Sequence, residues 1–342
     1  MTLKDIAALA GVSTMTVSNV INGKHQRVSQ TTIDKVTAII EQYHYVPNQT
    51  ARNLIAKSSK IIALLVPTHN HFSELHAFST FDNPYVAAML GEIELTLREN
   101  GYYPMIRSVV DETDILNLFQ SWNIDGAIFL YPSFDHIIEN LMSQVSIPMV
   151  LIDSSLESEN ILNVKCANEE GTYLSTNYLI SKGHRHIAFV ANYKNNNLLQ
   201  NRFNGYLKAL KLNGIPFDES LVFEISPSYT GGIEAGKLIA ASTKTITAVV
   251  TTADICAIGI MEGAHLSGLH IPKDLSIVGF DDIFPSVYTT PKLTTISQNL
   301  KTKAGVAANL LIEKLTHGNV EKSQITIGVT LVARESVASP SK

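Results

Sequence analysis

Leu3, Ile6, Ala7 and Ala10 recur at the i, i+3, i+4, i+7 spacing that places apolar side chains on one helical face. Thr2 and Asp5 stand where a capping box would start that helix, and Gly11 stands where it would stop. Val17, Val20 and Ile21 predict a second helix behind Ser13, ended by Asn22-Gly23. Ile33, Val36, Ile40 and Tyr43 predict a third behind Ser29, and Pro47 prevents its simple continuation. The segment NQTARNLIAK (48–57) predicts a fourth helix, too short to be stable alone in water. From residue 61 the pattern changes. Short apolar runs, IIALLV (61–66), GAIFLY (126–131), MVLID (149–153), IAFVA (187–191), AVVTT (248–252) and SIVGF (276–280), alternate with amphipathic stretches such as AAMLGEIELTLREN and RFNGYLKALKLNG. Repeated β-α order predicts α/β layers with parallel sheets. The span is large for one such sheet, so two lobes are expected.

Two short helices joined by a Gly-containing turn form a helix-turn-helix candidate. Its second helix turns Thr14, Met15, Thr16, Ser18, Asn19 and Asn22 away from the core. These are short hydrogen-bonding or adaptable side chains, not the Lys/Glu mixture of a plain solvated face. Asn can pair with adenine, Ser and Thr with bases or phosphates, and Met with a thymine methyl. Charge points the same way. Residues 1–60 carry seven Lys/Arg and three acids, a net +4, whereas the remainder is −9, so the chain's overall −5 hides a basic head on an acidic body. The composition, 45% hydrophobic and 17% charged, excludes a disordered chain, and no run is long enough to cross a membrane as a helix. The first residues lack a secretory signal, and Cys166 and Cys256, both in apolar runs, read as core residues of a reduced cytoplasmic protein.

The wording is more specific than the pattern. TLKDIAALAGVSTMTVSNVING, RVSQTTIDKV and YHYVPNQTARNLIA, in this order and spacing, closely resemble the head of the lactose-repressor/purine-repressor family of bacterial transcription factors. DGAIFLYP, IPMVLIDSS, YLISKGHRHIAFVA, NRFNGYLKALKLNGI, IPKDLSIVGFDDI and LTTISQN continue the resemblance through the body. It implies an all-α helix-turn-helix head (1–47), a hinge helix and linker (48–60), and a two-lobed body (61–342) like the periplasmic sugar-binding fold. The lobes are expected at about 61–161 with 293–325, and about 162–292 with 326–342. The resemblance implies that Thr14 and Met15, then Ser18 and Asn19, read bases in the major groove, and that Thr2, Thr16, Asn22, Ser29 and Thr32 touch phosphates. It makes Asn48, Ala51, Arg52 and Leu54 part of a hinge that folds on DNA, with Leu54 wedged into the minor groove. Arg202, Asp281, Asp153 and Tyr85 match effector-contacting positions, and Phe280 reads as core. The expected protein is a repressor that binds operator DNA as a homodimer and answers a sugar or sugar phosphate. A dimer rather than a tetramer is expected because no heptad segment follows ARESVASPSK. A purine or a partner protein as effector, and a cytosolic solute-binding protein, are the alternatives.

Three departures stand out. Asn19 stands where many relatives carry Arg, Ala253 where many carry Asn, and Ala167 where Asp is common. A fourth feature is length: sixteen positions separate Pro67 from Asn83, where relatives use about four, and the added THNHFSELHAFSTFD is expected near the cleft mouth. His69, His71, Glu74 and His76 in it lack the tight helical spacing of a metal site, and no metal or other cofactor is expected. GxSxG, P-loop, GxGxxG and HExxH patterns are absent, and Asp281-Asp282 has no evident acid/base partner, so no catalytic residue is expected.

The wedge reading is directly testable. Leu54→Ala is expected to weaken operator binding in a gel shift while effector affinity stays nearly intact; unchanged operator affinity would refute the wedge.

Overall fold

The computed structural model describes residues 1–46, 58–67, 80–130, 135–156, 161–194 and 196–340. Met1–Ser59 and Lys60–Lys342 form two separate compact units.

The head holds α1 (Leu3–Ala10), α2 (Thr14–Ile21) and α3 (Gln30–Gln42). Each begins where its capping residue predicts. The Thr2 hydroxyl accepts from the Asp5 N–H and the Asp5 carboxylate accepts from the Thr2 N–H at 2.7 Å, closing the box. Ser13 and Ser29 accept from the N–H groups of Thr16 and Thr32. Gly11 ends α1 at φ 65°, a left-handed conformation that costs glycine little. Ile6, Ala7, Ala10, Val17, Val20 and Val36 form the buried core of this unit. Tyr43, expected on the inner stripe of α3, lies one residue past its end and is exposed.

The body contains two six-stranded sheets. The first runs β11-β5-β4-β3-β1-β2, from β1 (Ile61–Pro67), β2 (Tyr103–Val109), β3 (Gly126–Leu130), β4 (Met149–Ile152), β5 (Leu162–Cys166) and β11 (Gln324–Ile327), all parallel. The second runs β12-β10-β9-β8-β6-β7, from β6 (Ile187–Val190), β7 (Val222–Phe223), β8 (Ala248–Thr251), β9 (Ser276–Asp281), β10 (Thr294–Ser297) and β12 (Thr330–Val332). Only its edge pair β10–β12 is antiparallel.

Every apolar run picked from the sequence is a strand, because a strand covered on both faces needs no polar alternation. In the first lobe α4 (Pro84–Glu99) and α11 (Leu300–His317) cover one face, and α5 (Glu112–Ser121) and α6 (Asp135–Gln144) lie beside the strands of the other. In the second lobe α7 (Asn168–Ser181) and α8 (Asn197–Leu212) oppose α9 (Tyr229–Ala240) and α10 (Asp254–Leu266).

The chain passes between lobes three times: after Cys166, at Gln298-Asn299, and at Gly328-Val329. The divisions expected at 161/162 and 292/293 therefore need correction, since β5 belongs to the first sheet and β10 to the second. That at 325/326 moves too, because β11 runs to Ile327. Local pattern could not show this, because a strand's sequence does not say which sheet it joins. Among the described residues no helix is long and apolar enough to cross a membrane.

The pair α9–α10 owes its contact to glycine. A Cβ on Gly259 would stand 2.1 Å from the Tyr229 carbonyl, and one on Gly232 would stand 2.2 Å from the Cys256 carbonyl. Backbone atoms on both sides leave no flexible side chain to yield. Gly259→Ala is expected to destabilise the body by roughly 1–3 kcal/mol, the usual range for overpacking. Gly91→Ala, whose Cβ would meet nothing within 4 Å, is expected to be neutral or slightly stabilising. Urea unfolding of both variants checks the contrast.

Candidate functional site

The first site lies in the head. Thr14 and Met15 are exposed at the start of α2, and Met15 keeps 69% of its surface open. Ser18 and Asn19 follow one turn later, half-exposed. Thr16 shares a 2.9 Å hydroxyl contact with Ser13, and the Asn22 amide donates to the Ser18 hydroxyl at 3.2 Å. Thr2 and Ser29 cap α1 and α3, and Thr32 sits 2.8 Å from the Ser29 hydroxyl. Helix N-termini concentrate partial positive charge and N–H donors, which suits phosphate oxygens. Asn48, Ala51, Arg52 and Leu54 lie outside the described residues, as does the loop 68–79 with its histidines and Glu74.

The second site lies between the lobes. Asp153 directly follows β4 at φ 65°, and Asp281 ends β9 at φ 126°. Aspartate tolerates such conformations better than most residues, so both carboxylates can turn off their sheets at the carboxyl edge. Tyr85 enters from the first turn of α4, whose cap Asn83 accepts from the Tyr85 N–H. The Tyr85 hydroxyl donates to Asp153 Oδ2 at 2.8 Å. From the second lobe, Arg202 on α8 donates through Nε to Asn168 Oδ1 at 2.8 Å and through Nη1 to the Thr252 carbonyl. Its guanidinium lies over the Phe280 ring, 3.7 Å from the centroid, and Nη1 is 3.9 Å from Asp281 Oδ1. Phe280 is core, as expected.

Two residues that sequence reasoning passed over join these halves. Lys303, on α11, is fully buried, and its Nζ reaches Asp153 Oδ2 at 2.5 Å, Gln298 Oε1 at 2.8 Å and the Tyr85 hydroxyl at 3.3 Å. Gln298, in the second crossover, donates from Nε2 to Asp281 Oδ1 at 2.5 Å. A continuous polar chain thus runs Tyr85–Asp153–Lys303–Gln298–Asp281, from first lobe to second. The signal was present: Lys303 lies on the stripe formed with Ala304, Ala307, Ala308 and Leu311, where a solvated lysine would not be placed. Burying an ammonium costs several kcal/mol unless it is paired and hydrogen-bonded, and here it is both.

Asp254 is a brace. It is fully buried at the start of α10, where it accepts from the Ile283 N–H at 3.0 Å and the Thr295 hydroxyl at 2.5 Å. Burial, followed by the nearby Asp281 carboxylate, pushes its carboxyl up to about 8. Burial also raises Asp281, to about 6, against the opposing pull of Arg202. Burial and Asp153 hold the Tyr85 phenol protonated well above its ordinary range. Ala167 and Ala253 begin α7 and α10 with no side-chain cap, the physical consequence of those two departures.

Comparison with known proteins matches both units. The family profile described as bacterial regulatory proteins, lacI family, matches residues 2–48, and the one described as a periplasmic binding protein-like domain matches 176–337. The HTH-type transcriptional repressor PurR of Erwinia tasmaniensis is 32% identical over 343 residues, covering 98% of this chain and 97% of that one. The chain belongs to the lacI family of bacterial regulatory proteins. Another lacI-family relative, PurR of Haemophilus influenzae, is 31% identical, with 99% of each chain covered. The Lac repressor dimer bound to operator and the anti-inducer ONPF superposes with a TM-score of 0.85 at 26% identity, over 99% of each chain. The transcriptional regulator CelR–cellobiose complex gives 0.72 at 26% identity, over 98% of this chain and 99% of that one. A LacI-family regulator from Enterococcus faecium with bound ribose gives 0.71 at 27%, over 82% of this chain and 99% of that one. The lacI-family chain is therefore a helix-turn-helix head on a two-lobed α/β body, and its class is the ligand-responsive DNA-binding repressors.

The raised acids carry a pH signature. Between about pH 4 and 8 the folded body holds protons on Asp281 and Asp254 that the unfolded chain, with ordinary carboxyl values near 3.8, releases. Their contribution is fully present below the unfolded value and is lost as pH rises through about 6 and then about 8. Asp254→Asn removes the larger shift. Its melting temperature relative to the natural chain is therefore expected to rise from pH 5 to pH 8, as followed by circular dichroism; a constant or falling difference contradicts the assignment.

Proposed function

We propose that this chain is a repressor whose operator affinity is set by a polyhydroxylated small molecule, a sugar or sugar derivative, held between the lobes. The observation that carries the reading is the convergence of Tyr85, Asp153, Arg202 and Asp281 from two lobes on one buried polar network. Carboxylates and a guanidinium make paired hydrogen bonds with vicinal hydroxyls. A ligand there exchanges its own donors and acceptors for those the lobes now offer each other. It favours one lobe arrangement by its differential affinity, and operator DNA must change ligand affinity by the same factor.

On the DNA side, Thr14, Met15, Ser18 and Asn19 read bases, while Thr2, Thr16, Asn22, Ser29 and Thr32 hold phosphates. Asn48, Ala51, Arg52 and Leu54 serve the minor groove. A homodimer places one head on each half of a near-palindromic operator in the cytoplasm. The relative solved as a dimer on its operator supports this reading.

A purine effector is the second reading, favoured by relatives that carry the name PurR. A flat base is commonly held by stacking on aromatic faces. Among the described residues of this cleft, Phe280 is buried beneath Arg202 and offers no open face. The relatives solved with cellobiose and ribose support the sugar reading.

A thermal-shift screen of sugars, sugar phosphates and purines decides between the two. The same ligand is then added to gel shifts with promoter fragments from the source genome. Arg202→Ala is expected to keep operator binding while its effector affinity falls by roughly tenfold or more, the scale of a lost hydrogen bond to a charged group. A variant that still responds normally would remove Arg202 from the site, and stabilisation by purines alone would overturn the sugar reading.

A further inference from the structure

Lys303 does more than the sugar reading requires. Hydroxyls are matched by Asp153, Asp281, Asn168 and Arg202 without a second buried cation. Among the described lysines, Lys303 is the one with no exposed surface, and it is placed where both lobes meet. We propose, resting on the sugar reading above, that Lys303 contacts the effector and selects one bearing a carboxylate: an acidic sugar rather than a neutral one.

Three observations carry this. First, the ammonium already holds a carboxylate. Asp153 Oδ2 sits 2.5 Å from Nζ, with two neutral oxygens, Gln298 Oε1 and the Tyr85 hydroxyl, completing the set. An effector carboxylate can take the place of Asp153 Oδ2 with no change in the charge facing Lys303. A neutral hydroxyl in that place would leave the buried ammonium without its counter-charge.

Second, Asp153 is prepared for the exchange. Its other oxygen, Oδ1, is buried and has no hydrogen-bond partner, on a residue only 7% exposed. A buried acceptor left empty carries an uncompensated desolvation cost, and a sugar hydroxyl would relieve it. Thr252 Oγ1, beside the Arg202 contact in the other lobe, is likewise buried without a partner. Displaced from Lys303, Asp153 keeps the Tyr85 hydroxyl and turns to the hydroxyls of the effector.

Third, the other cation is only loosely neutralised. Arg202 spends Nε and Nη1 on the neutral acceptors Asn168 and Thr252, and its approach to Asp281, at 3.9 Å, is longer than a hydrogen bond. Burial raises both Asp281 and Asp254, and Asp254, pushed up to about 8, adds little negative charge to oppose an incoming anion. Arg202 and Lys303 therefore approach the cleft from opposite lobes, and the carboxylate in tight contact with either of them is Asp153.

Isothermal titration at matched ionic strength tests the proposal on the full chain with pairs that differ only in the acid: D-glucose against D-glucuronate, and D-galactose against D-galacturonate. D-gluconate and D-glucose 6-phosphate are added as further arms. In at least one pair the acid is expected to bind about tenfold tighter or more, the scale of a hydrogen bond to a charged group. Lys303→Met is expected to abolish that preference while changing the affinity for the neutral partner far less. Lys303→Arg, which keeps a cation opposite Asp153, serves as the folded control and retains part of the preference. The wild-type ratios stand even if Lys303→Met does not fold. Acids no tighter than their neutral partners in every pair overturn the proposal, as does a preference for the phosphate ester over every carboxylate. If a neutral sugar binds while no acid is preferred, only the role of Lys303 falls. If purine bases bind and no sugar of either kind does, the sugar reading falls with it.

Discussion

An ammonium group cannot be carried into a protein interior without acceptors, and Lys303 has to find all of its acceptors in the cleft between two lobes. The sequence supplies them from three distant places: the end of β4, the first turn of α4 and the second crossover. Each becomes an acceptor for Nζ only when the first lobe and the crossover are fully formed. Gln298 then passes the requirement on, since the amide that accepts from Lys303 donates to Asp281 across the lobe boundary. The two lobes are thus linked through a continuous buried polar chain. Arrangements of that kind have few intermediate states, because a half-made buried network is worse than none.

The parallel sheets explain why these groups meet at all. Strands of both lobes end at facing edges, and Asp153 and Asp281 are the residues at which β4 and β9 leave their sheets. Their left-handed backbone conformations are tolerable for aspartate and costly for most other side chains. Arg334 fixes the loop that follows β9, bonding Asp282, the Ser286 hydroxyl and the Leu293 carbonyl, while Asp254 holds the Ile283 N–H from behind. The strand end that offers Asp281 is therefore braced from both sides.

Much of this was legible before any coordinates. Fully covered strands announce themselves as apolar runs, and the capping residues Thr2, Ser13 and Ser29 mark helix starts because each must satisfy an otherwise orphaned N–H. The strands that the apolar runs do not mark, β2, β5, β7, β10, β11 and β12, carry polar side chains, are very short or lie at sheet edges, so their pattern resembles that of loops. Which sheet β5 and β10 join is decided by tertiary contacts that no local pattern encodes. The four effector candidates came from resemblance and from their places beside strands and helix starts. Lys303 and Gln298 escaped because a lysine in a lysine-bearing helix reads as solvated; only its place among alanines on the inner stripe betrays it.

The head makes the opposite use of the same chemistry. Its α2 carries no charged residue, so Thr14, Met15, Ser18 and Asn19, the proposed base readers, contribute little long-range attraction. The attraction comes from the basic residues around it, and it is set against a body of net −9 that gains nothing from a polyanion. On the proposed dimer, firm binding arises when two heads act together, since the second contact is then made at high effective concentration. Control at the cleft need not weaken any single contact between protein and base. It is sufficient for it to change how readily the two heads are presented as a pair, which is a demand that a two-state lobe arrangement can meet with a few kcal/mol.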